Sequence, residues 1–260
     1  PLQTDSKNKN ILIIGSGGRE HALGWKLARS SKVKRVFHCP GNGGTKNNVA
    51  IASFDHRKLI EFAEKNDCET LVGPEGPLAA GIVDQFLNCN LRIFGPSKVA
   101  TKLESSKVFS KQFMQKAGIR TSPFVILSSY RDAEDYVKSQ TRELVIKAEG
   151  LASGKGVFVC STQKEAILAL RSLMLDREFG ESGDRIIIEK KIQGKEASYI
   201  AICDGNSFVP MAMSRDHKRA CDGDTGLNTG GMGSYSPVGD ISEDLEAEIA
   251  NDIIKPTIRA

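Results

Sequence analysis

Over the first hundred residues, short apolar runs alternate with amphipathic stretches, and most runs end in a glycine or proline cluster. Residues 11–14, 35–38, 70–73 and 91–95 read as strands. Residues 19–30, 58–65 and 78–88 read as helices, with Leu23 and Leu27 one turn apart on the first. This alternation leaves the chain few folds. A helix between two strands returns the chain to start the next strand in the same direction, so the expected product is a parallel sheet with helices on both faces. Such sheets take ligands beyond the carboxyl ends of their strands. The clusters at 15–18, 40–44, 73–77 and 95–96 fall at those ends.

The rhythm then changes. Residues 97–118 read as helical, with a break near Ser105 and Ser106, where a serine can cap a new helix, and a stop at Gly118. Strands follow at 124–127, 144–148, 156–160 and 185–189, with helices near 131–139 and 164–175. A hairpin over 198–203 and 207–213 turns at Asp204-Gly205-Asn206. The second half is therefore expected to be α+β with antiparallel pairs.

Composition narrows the function. Lys plus Arg is 36 and Asp plus Glu is 32, a net charge of +4. The excess is spread along the chain, which suits phosphate-bearing substrates and gives no basic arm for nucleic acid. No apolar run approaches the ~18 residues of a membrane span. The 6 cysteines form no CxxC pair and mostly sit in or beside apolar runs. They are expected to be buried thiols in a reducing compartment, not a disulfide framework. The polar start has no signal-peptide core, which fits the cytoplasm. It lacks an initiator Met, and TIRA stops inside a helix-like stretch, so both ends read as cuts in a longer chain.

Four glycine-rich or charged clusters carry chemistry. The segment ILIIGSGGREH at 11–21 is a strand, a glycine turn and a helix start, which aims backbone N–H groups and a helix dipole at an anion. As a dinucleotide fingerprint it fails twice: Glu20 holds the third glycine position, and no carboxylate ends the second strand. A phosphate site and a tight structural turn remain. The loop GLASGKG at 150–156 resembles a Walker loop but joins two strands. It can fold over phosphates as a lid with Lys155 supplying charge, or merely connect. Lys147 stands within the strand LVIKA and needs a partner or an anionic ligand there. The run IIIEKKIQGKE at 186–196 is a solvated charge run or, in a nucleotide site, an adenine edge with Glu196 near ribose hydroxyls. The last cluster, RDHKR at 215–219, precedes Gly223, Gly226, Gly230, Gly231 and Gly233, too many glycines for a packed element, so a ligand-contacting loop is expected.

GSGGREHA, PGNGGT at 40–45, VGPEGPLAAG at 72–81, GLASGKGV at 150–157, DHKR at 216–219 and NTGGMG at 228–233 stand in the order found in the phosphoribosylamine–glycine ligases of the ATP-grasp superfamily, which this chain resembles from Ile11 onward. The resemblance implies an amino-terminal Rossmann-like domain over 1–106 and an ATP-grasp domain over 107–260, incomplete at its carboxyl end, with a lid subdomain at about 124–193. It implies ATP-dependent joining of glycine to 5-phosphoribosylamine through a glycyl phosphate, giving glycinamide ribonucleotide, ADP and phosphate in purine synthesis. By that resemblance Gly15, Gly17, Gly18, Arg19, Glu20, Gly41, Asn42, Pro74, Glu75 and Asp216 bind the substrates. Lys107, Lys147, Gly154, Lys155, Glu189, Lys190, Lys191, Ile192, Glu196, Arg219 and Asn228 bind ATP, and Asp216 and Arg219 lie at the reacting groups. The ligands for Mg2+ or Mn2+ are expected beyond residue 260, and fusion to further purine-pathway enzymes is compatible with the pattern. Two departures touch the nucleotide contacts: Lys190 and Lys195 stand where a second acid is expected, and Leu227 replaces a proline before Asn228. Other acceptors on an ATP-grasp ligase, or a nucleotide-binding module without chemistry, are the alternatives.

Overall fold

The computed structural model describes residues 8–150, 156–223 and 225–260. They form two compact units, 1–105 and 106–260.

In the first unit β1 (Lys9–Gly15), α1 (Gly18–Leu27), β2 (Val33–Pro40), α2 (His56–Lys65), β3 (Cys68–Val72), α3 (Glu75–Ala79), α4 (Ile82–Asn88), β4 (Ile93–Phe94) and α5 (Lys102–Ser105) follow in turn. The strands make one parallel sheet in the order β2-β1-β3-β4. Alternate β1 side chains go to opposite faces. Leu12 and Ile14 pack with Leu59 and Ala63 of α2 and Ile82 and Phe86 of α4. Ile13 faces α1, where Gly24 lets the helix approach closely: a Cβ there would lie 2.2 Å from His38 Nε2 and 3.3 Å from Ile13 Cδ1. The expected single helix at 78–88 is two helices, because Gly81 takes φ 88° between them. The expected strand at 91–95 contracts to β4.

The second unit begins with α6 (Lys107–Lys116), capped by Ser106, whose Oγ accepts the Phe109 N–H at 3.1 Å. Then come β5 (Phe124–Leu127), α7 (Tyr130–Ser139), β6 (Leu144–Ala148), β7 (Val157–Cys160), α8 (Gln163–Leu170) and β8 (Ile186–Lys190). The four strands form an antiparallel sheet in the order β5-β8-β6-β7. Leu144, Ile146, Ala148, Ile186 and Ile188 turn one face into a core with α7 and α8. The other face carries Val145, Lys147, Ile187 and Glu189, and α6 lies against it. Two hairpins follow, β9 (Ala201–Cys203) with β10 (Phe208–Pro210) and β11 (Arg215–Cys221) with β12 (Thr225–Tyr235), then α9 (Glu243–Ile249) and α10 (Lys255–Arg259).

The glycine-rich segment after Arg219 is thus a strand and not the expected loop. Strand pairing needs only backbone partners, and β12 takes its glycines where the ladder is irregular: the register shifts between His217 and Arg219 and again before Cys221, with Gly231 at φ 121° and Gly226 at φ 85°. Among the described residues no disulfide forms: Cys39, Cys68 and Cys160 are buried thiols, whereas Cys89, Cys203 and Cys221 are exposed, unlike the burial expected for most of them. No described helix is long and apolar enough to cross a membrane.

Candidate nucleotide and sugar-phosphate sites

In the first unit the chain runs from β1 to β2 on one side and then crosses to β3 on the other, so the crevice at the carboxyl ends of β1 and β3 is the topological switch point where such sheets bind ligands. Three loops meet there. Gly41 N–H donates to Gly15 O at 3.2 Å, and Gly73 N–H donates to Ile14 O at 3.0 Å. Asn42 ties the second loop to the first, its Nδ2 donating to Ser16 O at 3.0 Å, while its Oδ1 accepts the Gly44 N–H at 2.8 Å. Arg19 reaches the third loop, donating to Gly73 O at 2.7 Å. Pro74 and Glu75 begin α3 there. Gly15, Gly17, Gly18, Arg19, Glu20, Gly41, Asn42, Pro74 and Glu75 are therefore gathered at one sheet edge.

Glu20 gives this edge its character. It is 4% exposed. Its carboxylate turns back to accept the Gly17 N–H at 2.6 Å, capping α1. A Cβ at Gly73 would fall 1.8 Å from Glu20 Oε1, one at Gly15 2.6 Å from Glu20 Cγ, and one at Gly17 2.9 Å from Glu20 Oε2. Three glycines of the cluster make room for an internal anion, and one amide expected to face a ligand is spent on it. The position that a dinucleotide fingerprint gives to its third glycine is thus filled by a buried carboxylate bonded within its own loop.

In the second unit the candidate site is the face of β6 and β8 under α6. Glu189 pairs across the ladder with Val145, two residues from Lys147 on the same face. Lys147 Nζ donates to Glu189 Oε2 at 2.9 Å, and Ser122 Oγ donates to the same oxygen at 2.9 Å. Lys111 Nζ lies 3.0 Å from Glu189 Oε1 as an ion pair not aligned as a hydrogen bond. Burial pushes the Glu189 carboxyl up. The hydrogen bond and charge of Lys147, then the close Lys111 ammonium and the Ser122 hydrogen bond, outweigh it and hold the carboxyl below the ordinary glutamate value. Lys147 thus has the partner its strand position demanded. Lys107, one turn before Lys111 on α6, donates from Nζ to Gly150 O at 2.9 Å and from its backbone N–H to Glu149 O at 3.0 Å, anchoring the start of the glycine loop. Glu149 is held in turn by Arg185 at 2.5 Å and by Ser106 Oγ at 3.0 Å. Gly154 and Lys155 lie outside the described residues.

The run after β8 is partly committed to the protein. Lys190 N–H donates to Pro123 O at 3.3 Å and Lys191 N–H to Glu143 O at 3.1 Å, while the Ile192 side chain is 68% exposed. Glu196 and Asp216 share one neighbour. Lys218 Nζ bonds the Glu196 carboxylate and lies 3.7 Å from Asp216 Oδ2, whereas Asp216 Oδ1 is buried with no hydrogen-bond partner. Arg219 lies on β11. Its Nη1 donates to Gly226 O at 3.1 Å, and it lines a cleft of about 490 Å³ beside edge strand β7 with Phe158, Cys160 and Ser172. For Asn228 only the strand backbone, opposite Arg219, is described. Sequence reasoning missed Lys111, Ser122 and the Arg215–Asp240 pair at 3.0 Å. For Lys111 a signal existed: it follows Lys107 by one helical turn, so both face the sheet. Among the described residues no three His, Cys, Asp or Glu side chains gather as a metal site.

A parallel sheet with loops at its switch point, followed by an antiparallel sheet with a cationic face and a glycine hairpin, defines the ATP-grasp class of fold. Its likeness to D-alanine–D-alanine ligase from Bacillus anthracis is of this kind: 17% identity, TM-score 0.65, over 97% of this chain and 79% of that one. Residues 9–104 match the phosphoribosylglycinamide synthetase N domain and 105–260 its ATP-grasp (A) domain, so the chain belongs to the phosphoribosylglycinamide synthetase family. It is 50% identical to a phosphoribosylamine–glycine ligase of Neisseria meningitidis serogroup B over 252 residues, 95% of this chain and 60% of that protein. The enzyme of that name from Yersinia pestis is 46% identical over 256 residues, again 60% of its length. The crystal structure of the Thermotoga maritima phosphoribosylamine–glycine ligase superposes with TM-score 0.81 at 34% identity, over 96% of this chain and 60% of that one. The chain thus spans about 60% of the length of the relatives it matches.

Proposed function

We propose that this chain supplies the sugar-phosphate and nucleotide sites of a phosphoribosylamine–glycine ligase. In that reading ATP phosphorylates the carboxylate of glycine, and the amine of 5-phosphoribosylamine attacks the glycyl phosphate. An N–C bond forms, the phosphate leaves, and glycinamide ribonucleotide, ADP and phosphate are the products. The observation that carries it is the match of both units, 9–104 and 105–260, to successive domains of one family.

The geometry supports a division of labour. The loops around Gly15, Gly41 and Gly73 offer amides and Arg19 at one sheet edge for a sugar phosphate. Lys147, Lys107 and the strand end from Glu189 to Ile192 offer charge and an apolar edge for ATP, with Gly154, Lys155 and Asn228 assigned by family resemblance. Phosphoryl transfer is catalysed chiefly by positioning and by charge, which a site rich in Lys suits. Asp216, with an unpartnered buried oxygen, is the group to hold the substrate amine, and Arg219 is assigned to the phosphates by family resemblance. Mg2+, when bound, would offset the negative charge of the ATP phosphates, and it needs fixed oxygen ligands. Among the described residues no cluster of that kind is present. A place in the cytoplasm and fusion to other purine-pathway enzymes belong to the same proposal.

The test is ADP release by the full-length protein. It should require both glycine and phosphoribosylamine. Equal release with other amino acids would indicate a different ATP-grasp ligase. No release at all, with ATP still raising the melting temperature, would indicate a binding module.

A further inference from the structure

Glu189 is held by two cations where one would balance its charge. The three side chains are unequal. Lys111 is 10% exposed, Glu189 6% and Lys147 27%. Lys111 Nζ also donates to Thr121 Oγ1 at 2.6 Å and to Ser122 Oγ at 2.9 Å, so two hydroxyls hold the ammonium in place beside the carboxylate. Lys147 stands beside the closed stem of the glycine hairpin, where Ala148 N–H meets Gly156 O at 2.8 Å. The trio carries a net +1, and its surplus lies at the more open end.

Removing the only partner of a buried carboxylate leaves a bare charge in a poorly solvated place, which is among the most costly changes in a protein interior. Were Lys147 the sole counter-ion of Glu189, it could leave for a ligand phosphate only by stranding that carboxylate. We propose that Lys111 is the standing counter-ion of Glu189, and that it thereby releases Lys147 to exchange the carboxylate for a phosphate oxygen of a bound nucleotide. Lys111 is a positioning residue, acting through Glu189 and Lys147 without touching the ligand. The inference rests on the reading that this sheet face takes a nucleoside polyphosphate.

The experiment is calorimetric titration of the full-length protein with ADP and, separately, with adenosine, which has no phosphate to recruit Lys147. Lys111→Met should weaken ADP by at least about tenfold, the scale of one charge-assisted hydrogen bond, and leave adenosine nearly unchanged. Lys111→Arg should bind ADP as wild type does. In a Glu189→Gln background the carboxylate that retains Lys147 is gone, so adding Lys111→Met should cost no further ADP affinity relative to Glu189→Gln alone. Should Lys111→Met fail to fold, Lys111→Gln serves the same comparison. Equal loss for ADP and adenosine, or a further ADP loss when Lys111→Met is added to Glu189→Gln, would show a purely structural role and overturn the inference. So would a Lys111→Met protein binding ADP normally. Wild-type protein that binds adenosine and ADP equally weakly would instead overturn the nucleotide reading beneath it.

Discussion

The two candidate sites are built from opposite materials. At the sheet edge of the first unit the parts are backbone amides, carbonyls and glycines closed around one carboxylate, Glu20. On the sheet face of the second unit they are long charged side chains, Lys111, Lys147 and Glu189, on regular helix and strand. In the first, shape is fixed by the absence of side chains. In the second, charge is fixed by burial. The first should break when atoms are added, the second when charge is removed.

The largest effect is expected at Glu189. Glu189→Gln leaves the buried Lys111 and the partly buried Lys147 without their carboxylate, and thermal or denaturant unfolding should show a loss of about 3–5 kcal/mol. Acid should erase the difference. The folded carboxyl titrates below its ordinary value, so the unfolded chain binds the proton more readily. The stabilisation is then present above the ordinary glutamate pKa and disappears as pH falls through the lowered folded value. A gap between wild type and variant that stays constant into that acid range would show that the pair does not supply it.

Next comes Gly73→Ala. Its Cβ would meet Glu20 Oε1 at 1.8 Å, against a carboxylate packed among other glycines, so about 3 kcal/mol should be lost, at the upper end for overpacking. An unchanged melting temperature would mean that Glu20 turns out to solvent without penalty, and the contrast between the two sites would collapse.

A smaller effect separates cations of the second unit. Lys147→Ala should lower ADP affinity by about 1.5–3 kcal/mol, while Lys164→Ala, exposed on α8, should leave it unchanged. Equal affinities would return Lys147 to the role of a partner for Glu189 alone.

Least costly to the molecule are the thiols. Burial pushes Cys39 up to about 12 and Cys68 and Cys160 up to about 11. Native protein should therefore react with a thiol reagent at Cys89, Cys203 and Cys221 only, and the other three should appear on unfolding. Rapid native labelling of Cys39 would mean that the core of the first sheet opens.

The same contrast explains what the sequence could reveal. Both sheets were legible, because periodicity and glycine punctuation mark strands and turns locally. So was the gathering of the 15–18, 40–44 and 73–77 loops, since a parallel sheet puts all its carboxyl strand ends on one edge. The β12 strand was not legible: its glycines resemble a loop, and only the partner strand Arg215–Cys221 makes them a ladder. Nor was the counter-ion of Lys147. That Lys147 needed a partner followed from its strand, but Glu189 lies 42 positions away and Lys111 on a different element, and no local pattern joins them. Glu20 was noticed for the glycine it replaced. Its burial could be seen only once Gly73, 54 positions beyond Arg19 in the chain, had come alongside the same loop.

The packing of Glu20 against Gly73 also sets an order on how this loop can change. With Glu20 in place, position 73 admits no side chain, since even a methyl group would overlap the carboxylate. With Glu20 shortened to alanine or glycine the space opens, and the loss of the Gly17 bond at 2.6 Å comes first. Substitution is therefore a one-way staircase: residue 20 must shrink before residue 73 can grow, and the reverse path passes through a clash. A library that varies the two positions singly will report position 73 as intolerant, while one that varies them together will contain folded pairs with a side chain at 73.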